Sequence, residues 1–590
     1  MQDKPGTFDL YDKLPPLPVP TLSETCERYL ATVAPLVDDE TYRHVAAAVG
    51  ELQTAGGVGQ QLQAALEARA AARDNWLVGW WEDAAYLKWA TPLPINSSIG
   101  ISGDARIATG DQAARAAEVT HGAVDFYLAI LNETFPPEVQ RNGAPFDMSL
   151  LKRFFATNRM AGTETDRIAT FSPQESRHIV VNRDGHLFRF DVLDAELKPL
   201  SQSDLIAQFR RIIEAADSHT GAALPMGALT ALDRRQWSRA RDLLTHEVNN
   251  RLVLDALERA LFHVALDRES YPDFTSLGHA GLHGAPGHRW FDKALTLVVD
   301  AQGRFTLHGE HSPVDAGAWC PLLDRIAAPT GEFVDAATTS QPEPRALHFT
   351  MPALLADDAL DQAVATIQSA IDDLDFKVIA FADFGKELIK TFKMGPDPFL
   401  QMAFQLAYWR LHKRTPKTYE SASTRSCRLG RTETIRVASP QSKALVAAFD
   451  DPARTVDEKQ ELAQAAFAEH SVRGRDASAG YGVDRHLLGL ALIAKETGIA
   501  DADLPRLFSL PVHTLGWELT TAQVPLATAF VNHFGPVMPD GYGVAYVIKP
   551  DSFALSVSSF KSSVVTDNEG FVSHIEQALR DMRALLSAGT

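Results

Sequence analysis

Residues 305–315 read FTLHGEHSPVD. Apolar residues or glycine alternate with polar residues over the first six positions, and this alternation predicts a β-strand. A proline then ends the strand in a turn that carries His311, with Asp315 four residues further along. Histidine can act as a general base near neutral pH, so His311 is a candidate catalytic residue. A histidine that simply ends a strand is the more common case for such a spacing.

Two roles are open to the carboxylate of Asp315 in this turn. It could fix the tautomer of the His311 ring by accepting a hydrogen bond. Alternatively, it could brace the turn through an arginine. The spacing of the two residues is compatible with both roles.

The flanking sequence predicts helices and strands in both halves of the chain. Residues 294–300 (ALTLVVD) and the strand that begins at Phe305 form a predicted hairpin around 300–303. Helical patterns cover residues 22–36, 41–52, 59–77, 203–216, 229–265, 357–373, 399–414 and 568–587. Strand patterns cover residues 178–193, 376–383 and 543–560.

These elements predict an α/β fold with two domains of similar size. A chain of 590 residues exceeds what one hydrophobic core usually organises. The polar stretch 330–347 holds two prolines and is the best linker candidate. We therefore expect one domain over 1–350 and a second over 351–590, with a ligand site in the cleft between them.

Composition narrows the functional class. The formal net charge is −19, which argues against nucleic acid or an anionic membrane as the main partner. Cys26, Cys320 and Cys427 lie far apart and form no disulfide or zinc pattern. No window reaches eighteen apolar residues and no targeting signal is visible, so we expect a cytoplasmic enzyme without a transmembrane segment and without a metal.

A basic stretch, FGKELIKTFKMGPDPF (384–399), could bind phosphate. Lys386, Lys390 and Lys393 recur at spacings of four and three, so on a helix they would share one face. Lysine binds phosphate as a point charge. A solvated helix face is the alternative interpretation, and by spacing alone the more common one.

Two further stretches carry hydroxyl groups. Residues 412–436 are basic and rich in serine and threonine, which suits a phosphate patch or an ordinary polar loop. In 519–525 (LTTAQVP), the hydroxyls of Thr520 and Thr521 could donate to an oxyanion or a carboxylate. A structural corner between strands would explain the same residues.

Taken together, these stretches resemble the carnitine/choline O-acyltransferase family over nearly the whole chain. The resemblance rests on NWLVGWWEDAAYL (75–87), EHSPVDA (310–316), FGKELIKTFKMGPD (384–397), YESASTRSCRLGRTETIR (419–436), DRHLLGL (484–490) and FGPVMPDGYG (534–543). It implies two similar α/β domains of the CoA-dependent, chloramphenicol acetyltransferase-like type, with an active-site tunnel at their interface. It further implies a monomer that transfers acyl groups reversibly between coenzyme A, as the acyl-CoA co-substrate, and the hydroxyl of carnitine.

The resemblance also implies roles for individual residues. His311 would be the general base, with the acidic Asp315 beside it. Coenzyme A would be bound by Lys386, Lys390, Asp397, Ser423 and Gln523. Carnitine would be bound by Tyr419, Thr432, Thr434, Arg485, Thr520 and Phe534. Asn532 occupies the position that gates the acyl tunnel, and its size and polarity favour short to medium chains.

The chain departs from the family pattern at several positions, including Gly395 in a GPD sequence where SPD is frequent. Ala522 replaces a serine that donates to the oxyanion, so Thr521, a water or the cationic substrate would have to compensate. Gly309 replaces a tyrosine of short-chain members and would enlarge the acceptor pocket. Glu433 replaces a common aspartate. These departures keep two alternatives open. The first is a related O-acyltransferase that acylates another alcohol or polyol, with the acyl group supplied by a carrier protein. The second is a catalytically impaired protein that binds acyl-CoA or carnitine.

Overall fold

The computed structural model describes residues 5–219, 221, 223–326, 341–353, 355, 358–500, 503–526 and 531–588. Strands and helices occur in both halves of the chain, so the predicted α/β class is confirmed. Residues 330–340 of the predicted linker lie outside the described residues. No helix of the described part is long and apolar enough to cross a membrane.

The strands are short and mostly buried. In chain order they are β1 Ser98–Ser102, β2 Thr157–Met160, β3 Arg167–Thr170, β4 His178–Arg183, β5 His186–Asp191, β6 His263–Leu266, β7 Leu295–Val299, β8 Phe305–Glu310, β9 Arg345–Leu347, β10 Leu374–Phe381, β11 Thr418–Ser423, β12 Thr432–Arg436, β13 Leu519–Gln523, β14 Val531–Phe534, β15 Tyr542–Ile548 and β16 Phe553–Phe560.

The helices cover the sheets and form an additional N-terminal layer. They are α1 Leu22–Val33, α2 Asp39–Leu52, α3 Val58–Ala71, α4 Val78–Glu82, α5 Gln112–Leu131, α6 Gln202–Asp217, α7 Arg234–Leu244, α8 Val248–Arg259, α9 Phe274–Leu282, α10 Cys320–Ile326, α11 Ala359–Asp373, α12 Lys386–Thr391, α13 Pro396–His412, α14 Pro440–Phe449, α15 Val456–Ser478, α16 Asp484–Glu496, α17 Pro511–Thr514 and α18 Asn568–Ser587.

The first large sheet has the strand order β14-β1-β8-β7-β6-β4-β5-β9. The predicted hairpin is confirmed, because β7 pairs antiparallel with β8, with Leu297 opposite Leu307. Every residue of β8 is buried. A central, buried strand therefore carries the chain directly to His311, which follows its last residue.

The second large sheet has the order β10-β16-β15-β13-β11-β12. Its middle strands β11, β13 and β15 run parallel, whereas β12, β16 and β10 pair antiparallel with their neighbours. Helices α13 and α18 pack on one face through a core that includes Phe404, Leu406 and Leu579. The other face is left for the cleft.

The two halves of the chain exchange elements. Strand β14 belongs to the C-terminal half but pairs with β1 in the first sheet, with Asn532 opposite Ile101 and Phe534 opposite Ile99. Conversely, helices α1 to α3 pack against α16 through a shared apolar cluster that includes Leu66 and Leu490. The division at residue 350 stays a prediction, and these exchanges tie the two halves together.

The predicted long helix over 229–265 is wrong. The Asp233 carboxylate accepts hydrogen bonds from the backbone N–H groups of Arg235 and Gln236, which starts α7 as a new helix. A second helix, α8, follows, and the chain then becomes β6, which pairs in parallel between β4 and β7. Pairing in the sheet overrides the local helical pattern, because the strand completes hydrogen bonds on both edges.

A buried network of charges supports the end of β8. Arg159 lies 2.7 Å from Asp166 and 3.1 Å from Glu310, the last residue of β8. Arg234 lies 2.7 Å from both Asp166 and Asp292. All five side chains are almost fully enclosed. Each charged side chain therefore lies beside at least one group of opposite charge, as a buried charge requires.

Removing one arginine from this network should destabilise the fold strongly. Arg159→Met keeps the volume but leaves Glu310 buried without its partner cation, which should cost about 3–5 kcal/mol. The exposed pair of Arg189 with Asp191, at 3.4 Å, provides a control, since Arg189→Met should cost less than about 1 kcal/mol. Midpoints of thermal unfolding for the two variants measure the difference. Equal midpoints would contradict a supporting role for the network.

Candidate active site

A cavity of about 1570 Å³ lies between the two large sheets. The first half of the chain contributes His311 to its wall, and the second half contributes Tyr419, Arg485, Thr520 and Asn532. Most of the residues that were predicted to act on substrates therefore meet in one place.

The imidazole of His311 is held by the turn that follows β8. Its Nδ1 lies 3.1 Å from the carbonyl oxygen of Val314 and 3.8 Å from the Asp315 carboxylate. A carbonyl can only accept, so Nδ1 carries the hydrogen, and in the neutral ring Nε2 is then the nitrogen without one. A neutral histidine in this tautomer can take a proton through Nε2.

Asp315 acts mainly through an arginine, so the second of its two predicted roles fits the structure. Arg431 donates to both carboxylate oxygens of Asp315, at 2.7 and 3.0 Å. Arg431 also donates to the backbone carbonyls of Ser312, at 2.9 Å, and His311, at 3.3 Å. Burial alone would raise the pKa of Asp315, but the charge and hydrogen bonds of Arg431 outweigh it and lower that pKa.

Two aromatic residues of the site were not predicted. The Tyr86 ring centroid lies 5.3 Å from that of His311, and burial raises the pKa of its hydroxyl far above the usual value. The guanidinium of Arg485 lies 3.6 Å above the ring of Trp81. Both come from the stretch NWLVGWWEDAAYL, whose clustered aromatic residues next to acidic ones were the available signal.

Arg485 is a buried cation whose guanidinium is held by the hydroxyl and carbonyl groups of two threonines. It donates to the carbonyl of Thr432 at 2.9 Å, the hydroxyl of Thr434 at 3.2 Å and the hydroxyl of Thr432 at 3.4 Å. Within the described part of the chain, it forms no ion pair. Its planar fork could therefore bind an external carboxylate.

Glu433 lies beside Arg485 but directs its carboxylate to backbone groups. Its Oε1 accepts from the N–H of Thr434 at 2.7 Å and of Arg485 at 3.3 Å. Burial raises the pKa of Glu433 to about 7, although the charge of Arg485 opposes this rise. A Cβ on Gly482 would clash with the Glu433 side chain, so the glycine makes room for it. Below about pH 7, where Glu433 is mostly protonated, it leaves the positive charge of Arg485 uncompensated.

The two threonines of β13 point in opposite directions. Thr520 lines the cavity, and its Oγ1 is buried without a partner among the described residues. Thr521 donates its hydroxyl to the carbonyl of Tyr419 at 3.0 Å and accepts from Gln401 at 2.9 Å. Its proton is already used, which corrects the prediction that Thr521 could replace the donor missing at Ala522.

The residues predicted for coenzyme A fall into two groups, two lysines on helix α12 and three residues that line the cavity. Lys386 and Lys390 lie four residues apart on helix α12, and Lys390 forms an exposed ion pair with Glu387 at 2.9 Å. Lys393 follows the helix in a left-handed conformation, with φ of 59°, so it does not continue the helical face. Asp397, Ser423 and Gln523 line the cavity itself.

Asp397 belongs to a buried cluster that could hold a cation. His470 Nε2 lies 3.2 Å from Asp397 and 3.1 Å from Glu420, and the Tyr546 hydroxyl donates to Asp397 at 2.6 Å. Burial would lower the pKa of His470, but the two carboxylates outweigh it and raise that pKa to about 10. The imidazolium already supplies the positive charge that a metal would bring.

Gly309 does not enlarge the acceptor pocket, contrary to the prediction. A Cβ at this position would lie 3.0 Å from Cζ2 of Trp319 and 3.1 Å from Ile99. The ring of Trp319 is fully buried and occupies this space. Phe534 and Asn532 of strand β14 line the cavity. Their roles as the cation-binding ring and the gate stay predictions.

Comparisons with known proteins agree with the resemblance in the sequence. The family described as Choline/Carnitine o-acyltransferase matches residues 17–577. The chain is 35% identical to "Carnitine O-acetyltransferase" of Columba livia, over 99% of this chain and 95% of that protein. It is 33% identical to "Carnitine O-palmitoyltransferase 1, muscle isoform" of Homo sapiens, over 98% and 78% respectively. It is also 33% identical to "Choline O-acetyltransferase" of Danio rerio, over 97% and 93%.

The raised pKa of Glu433 predicts a pH-dependent effect of Glu433→Gln. In the unfolded chain Glu433 ionises near pH 4.5, whereas in the fold it stays protonated until about pH 7. Ionisation of the unfolded state therefore costs the fold about 3 kcal/mol by pH 8, and almost none at pH 4. Thermal midpoints should show that Glu433→Gln is more stable than the parent at pH 8, with a gain that disappears toward pH 4.

A gain of the same size at both pH values would contradict a raised pKa for this carboxyl. Glu458→Gln is the control, because the Glu458 side chain is exposed at a helix start and its pKa is lowered by the hydrogen bonds from Thr455. That variant should gain no stability at pH 8.

Proposed function

We propose that this chain, which belongs to the choline/carnitine O-acyltransferase family, is a carnitine O-acyltransferase for short to medium acyl chains. Enzymes of this family are acyl-CoA-type acyltransferases, and the chain is one of them. The observation that carries the choice of carnitine is Arg485, a buried guanidinium without an ion-pair partner among the described residues, in the cavity that holds His311. Carnitine has the carboxylate that such a guanidinium requires; choline has none.

His311 is the general base in this proposal. Its Nε2 takes the proton of the carnitine hydroxyl, while the hydrogen bond from Nδ1 to Val314 holds the ring. The oxygen attacks the thioester carbonyl, the C–S bond breaks, and the proton passes from His311 to the sulfur of coenzyme A. Both substrates meet at one histidine, so no acyl-enzyme is required, and the same steps run in reverse.

Carnitine would lie between the two sheets. Its carboxylate would accept from Arg485 and from the hydroxyls of Tyr419, Thr432 and Thr434, and its trimethylammonium would approach the Phe534 ring. Asp315 would keep His311 in place through Arg431. The side chain of Ala522 cannot donate a hydrogen bond to the oxyanion. A neighbouring group would therefore have to donate this one hydrogen bond.

Coenzyme A would enter from the side of helix α12. Lys386 and Lys390 would bind its 3′-phosphate, Asp397 would lie near the adenine, and Ser423 and Gln523 would line the pantetheine arm. Residues 1–350 would thus supply the base, and residues 351–590 most of the contacts to both substrates. A monomer in the cytoplasm is part of the same proposal.

A second acceptor class is favoured by one residue. The methyl group of Ala522 lies on the cavity wall next to Thr520 and cannot donate a hydrogen bond. An alcohol or polyol with additional hydroxyl groups, acylated from a carrier-protein-bound donor, could supply its own. Assays with several acceptor alcohols distinguish this alternative from carnitine acylation.

The first test is a CoA-release assay with acetyl-CoA and carnitine, choline or glycerol as acceptors. Carnitine should be preferred, and His311→Ala should lower kcat by about 10²–10⁴-fold because the base is removed. Arg485→Ala should lower kcat/KM for carnitine by about 10–100-fold with little change for choline, because only carnitine bears the carboxylate. Arg485→Lys keeps the positive charge but lacks the planar guanidinium that can bind two carboxylate oxygens. This variant should therefore recover part of the lost kcat/KM for carnitine.

Preference for glycerol would favour the second acceptor class. Activity that is retained in His311→Ala would contradict the proposed mechanism. Acyl-CoA binding without turnover in the parent protein would indicate an impaired binder.

The proposed phosphate site is tested with a pair of donors that differ in one phosphate. Lys386→Ala and Lys390→Ala should each lower kcat/KM about fivefold to tenfold with acetyl-CoA, because a phosphate contact is lost. With acetyl-dephospho-CoA the same variants should match the parent. Lys393→Ala, beyond the helix end, is the matched control and should change neither value. Equal losses with both donors would place the 3′-phosphate elsewhere.

A further inference from the structure

Three histidines that are far apart in the sequence lie together at one edge of the first sheet. His186 begins β5, His219 follows α6, and His348 follows the edge strand β9. The ring centroid of His219 lies 4.9 Å from that of His186 and 6.5 Å from that of His348. None of the three lines the cavity that holds His311, so this cluster is separate from the candidate active site.

Strand pairing places two of these histidines on the same face of the sheet. Strands β5 and β9 pair antiparallel, with Leu187 opposite Leu347. The same register, continued by one residue, puts His186 opposite His348. Residues directly opposite each other share a face, and their Cβ atoms lie about 4.5–5.5 Å apart. Both rings therefore meet His219 from the same side.

The main chain that carries the three rings is fixed by other contacts. His186 pairs with Arg183 of β4. The Arg183 guanidinium donates to the carboxylate of Asp217, the last residue of α6, at 2.7 and 2.9 Å. Asn249 of α8 donates to the backbone carbonyl of His348 at 2.6 Å. The fold thus brings three imidazoles together and leaves mainly their side-chain torsions free.

The ring nitrogens of this cluster are available for a ligand. Nδ1 of His219 lies 3.2 Å from the carbonyl oxygen of Ala215, which can only accept, so Nε2 is the nitrogen without hydrogen in the neutral ring. Histidines that bind metals commonly donate their other N–H to a backbone carbonyl in this way. In the described part of the chain, the rings of His186 and His348 have no hydrogen-bond or ion-pair partner.

The charges around the cluster permit a cation. Burial and the neighbouring His219 lower the pKa of His186, which favours the neutral imidazole that binds metals. Arg268 also acts on His186 and would repel a cation. However, Arg268 is paired with Asp184 and, at 2.8 Å, with Asp217. Its charge is therefore compensated by carboxylates on both sides.

We propose that His186, His219 and His348 bind a divalent transition-metal ion, with water in the fourth position. Imidazole suits Zn²⁺, Ni²⁺ and Cu²⁺. Two histidines on a tetrahedral zinc ion have ring centroids about 5 Å apart. The pair of His186 and His219 already has this spacing, and the exposed side chain of His348 closes the remaining distance by rotation.

The proposal departs from the sequence-based expectation of a protein without a metal. That expectation rested on residue spacing along the chain, whereas these ligands meet only after β5, α6 and β9 have assembled. The ion would fasten β9, an edge strand of three residues at the end of the predicted linker, to the rest of the first sheet. It would stabilise the fold without taking part in acyl transfer.

The test titrates the full-length protein, freed of metal by a chelator, with Zn²⁺ in a calorimeter. Zn²⁺ should bind and should raise the midpoint of thermal unfolding, because the site exists only in the folded chain. His186→Ala, His219→Ala and His348→Ala should each weaken Zn²⁺ binding about tenfold or more, since one of three ligands is lost. His44→Ala removes an exposed histidine from α2 and should leave binding unchanged.

Thermal midpoints without Zn²⁺ report whether each variant keeps its fold, and the exposed His219 and His348 should be replaceable without loss of stability. Absence of Zn²⁺ binding in the parent protein would overturn the proposal. So would binding that none of the three variants weakens. Zn²⁺ binding that is lost only in His470→Ala would also overturn it, because the ion would then lie in the buried cluster with Asp397 and Glu420.

This inference and the proposed function are tested independently. Turnover of acetyl-CoA with carnitine should be the same in the parent protein and in His348→Ala, since this residue does not reach the cavity. Failure of carnitine as an acceptor leaves the Zn²⁺ titration unaffected. Conversely, a protein that acylates carnitine but does not bind Zn²⁺ refutes only the metal site.

Discussion

The ion pair between Arg431 and Asp315 is the constraint on which the geometry of the site depends. It joins the two halves of the chain, since Asp315 follows β8 and Arg431 precedes β12. The same guanidinium holds the backbone carbonyls of His311 and Ser312. One residue of the second half therefore sets the position of the base supplied by the first. The orientation of His311 requires both halves to be docked.

The polar side chains of β11 and β13 differ in whether their hydrogen-bonding groups are already used. The Thr521 hydroxyl and the Glu420 carboxylate border the cavity but are used in buried hydrogen bonds. Tyr419 and Thr520 border the same cavity, and the Thr520 hydroxyl has no partner among the described residues. Neighbouring hydroxyls such as Thr520 and Thr521 thus have different roles.

Periodicity predicted the hairpin of β7 and β8 and helix α18 at its observed bounds. The family resemblance implied that Arg485, Thr432 and Thr434 share one site, and the Arg485 guanidinium donates to both threonine hydroxyls. Other contacts between residues distant in sequence were not predicted. Arg431 and Tyr86 lay within quoted motifs, yet only the folded chain shows that they touch the turn and ring of His311. Gly309 was misjudged because Trp319, ten residues later, fills its space. The helix predicted over residues 229–265 was wrong, because pairing in the sheet outweighs the local helical preference of the segment that forms β6.

The exchange of β14 has a consequence for biosynthesis. Strand β1 has β8 on one side and receives β14, at residues 531–534, on the other. During translation the N-terminal half emerges first, so the outer edge of β1 waits without a partner until nearly the entire chain has been made. An open, apolar strand edge is a template for pairing with other chains. The nascent protein therefore carries this open strand edge until residues 531–534 have left the ribosome.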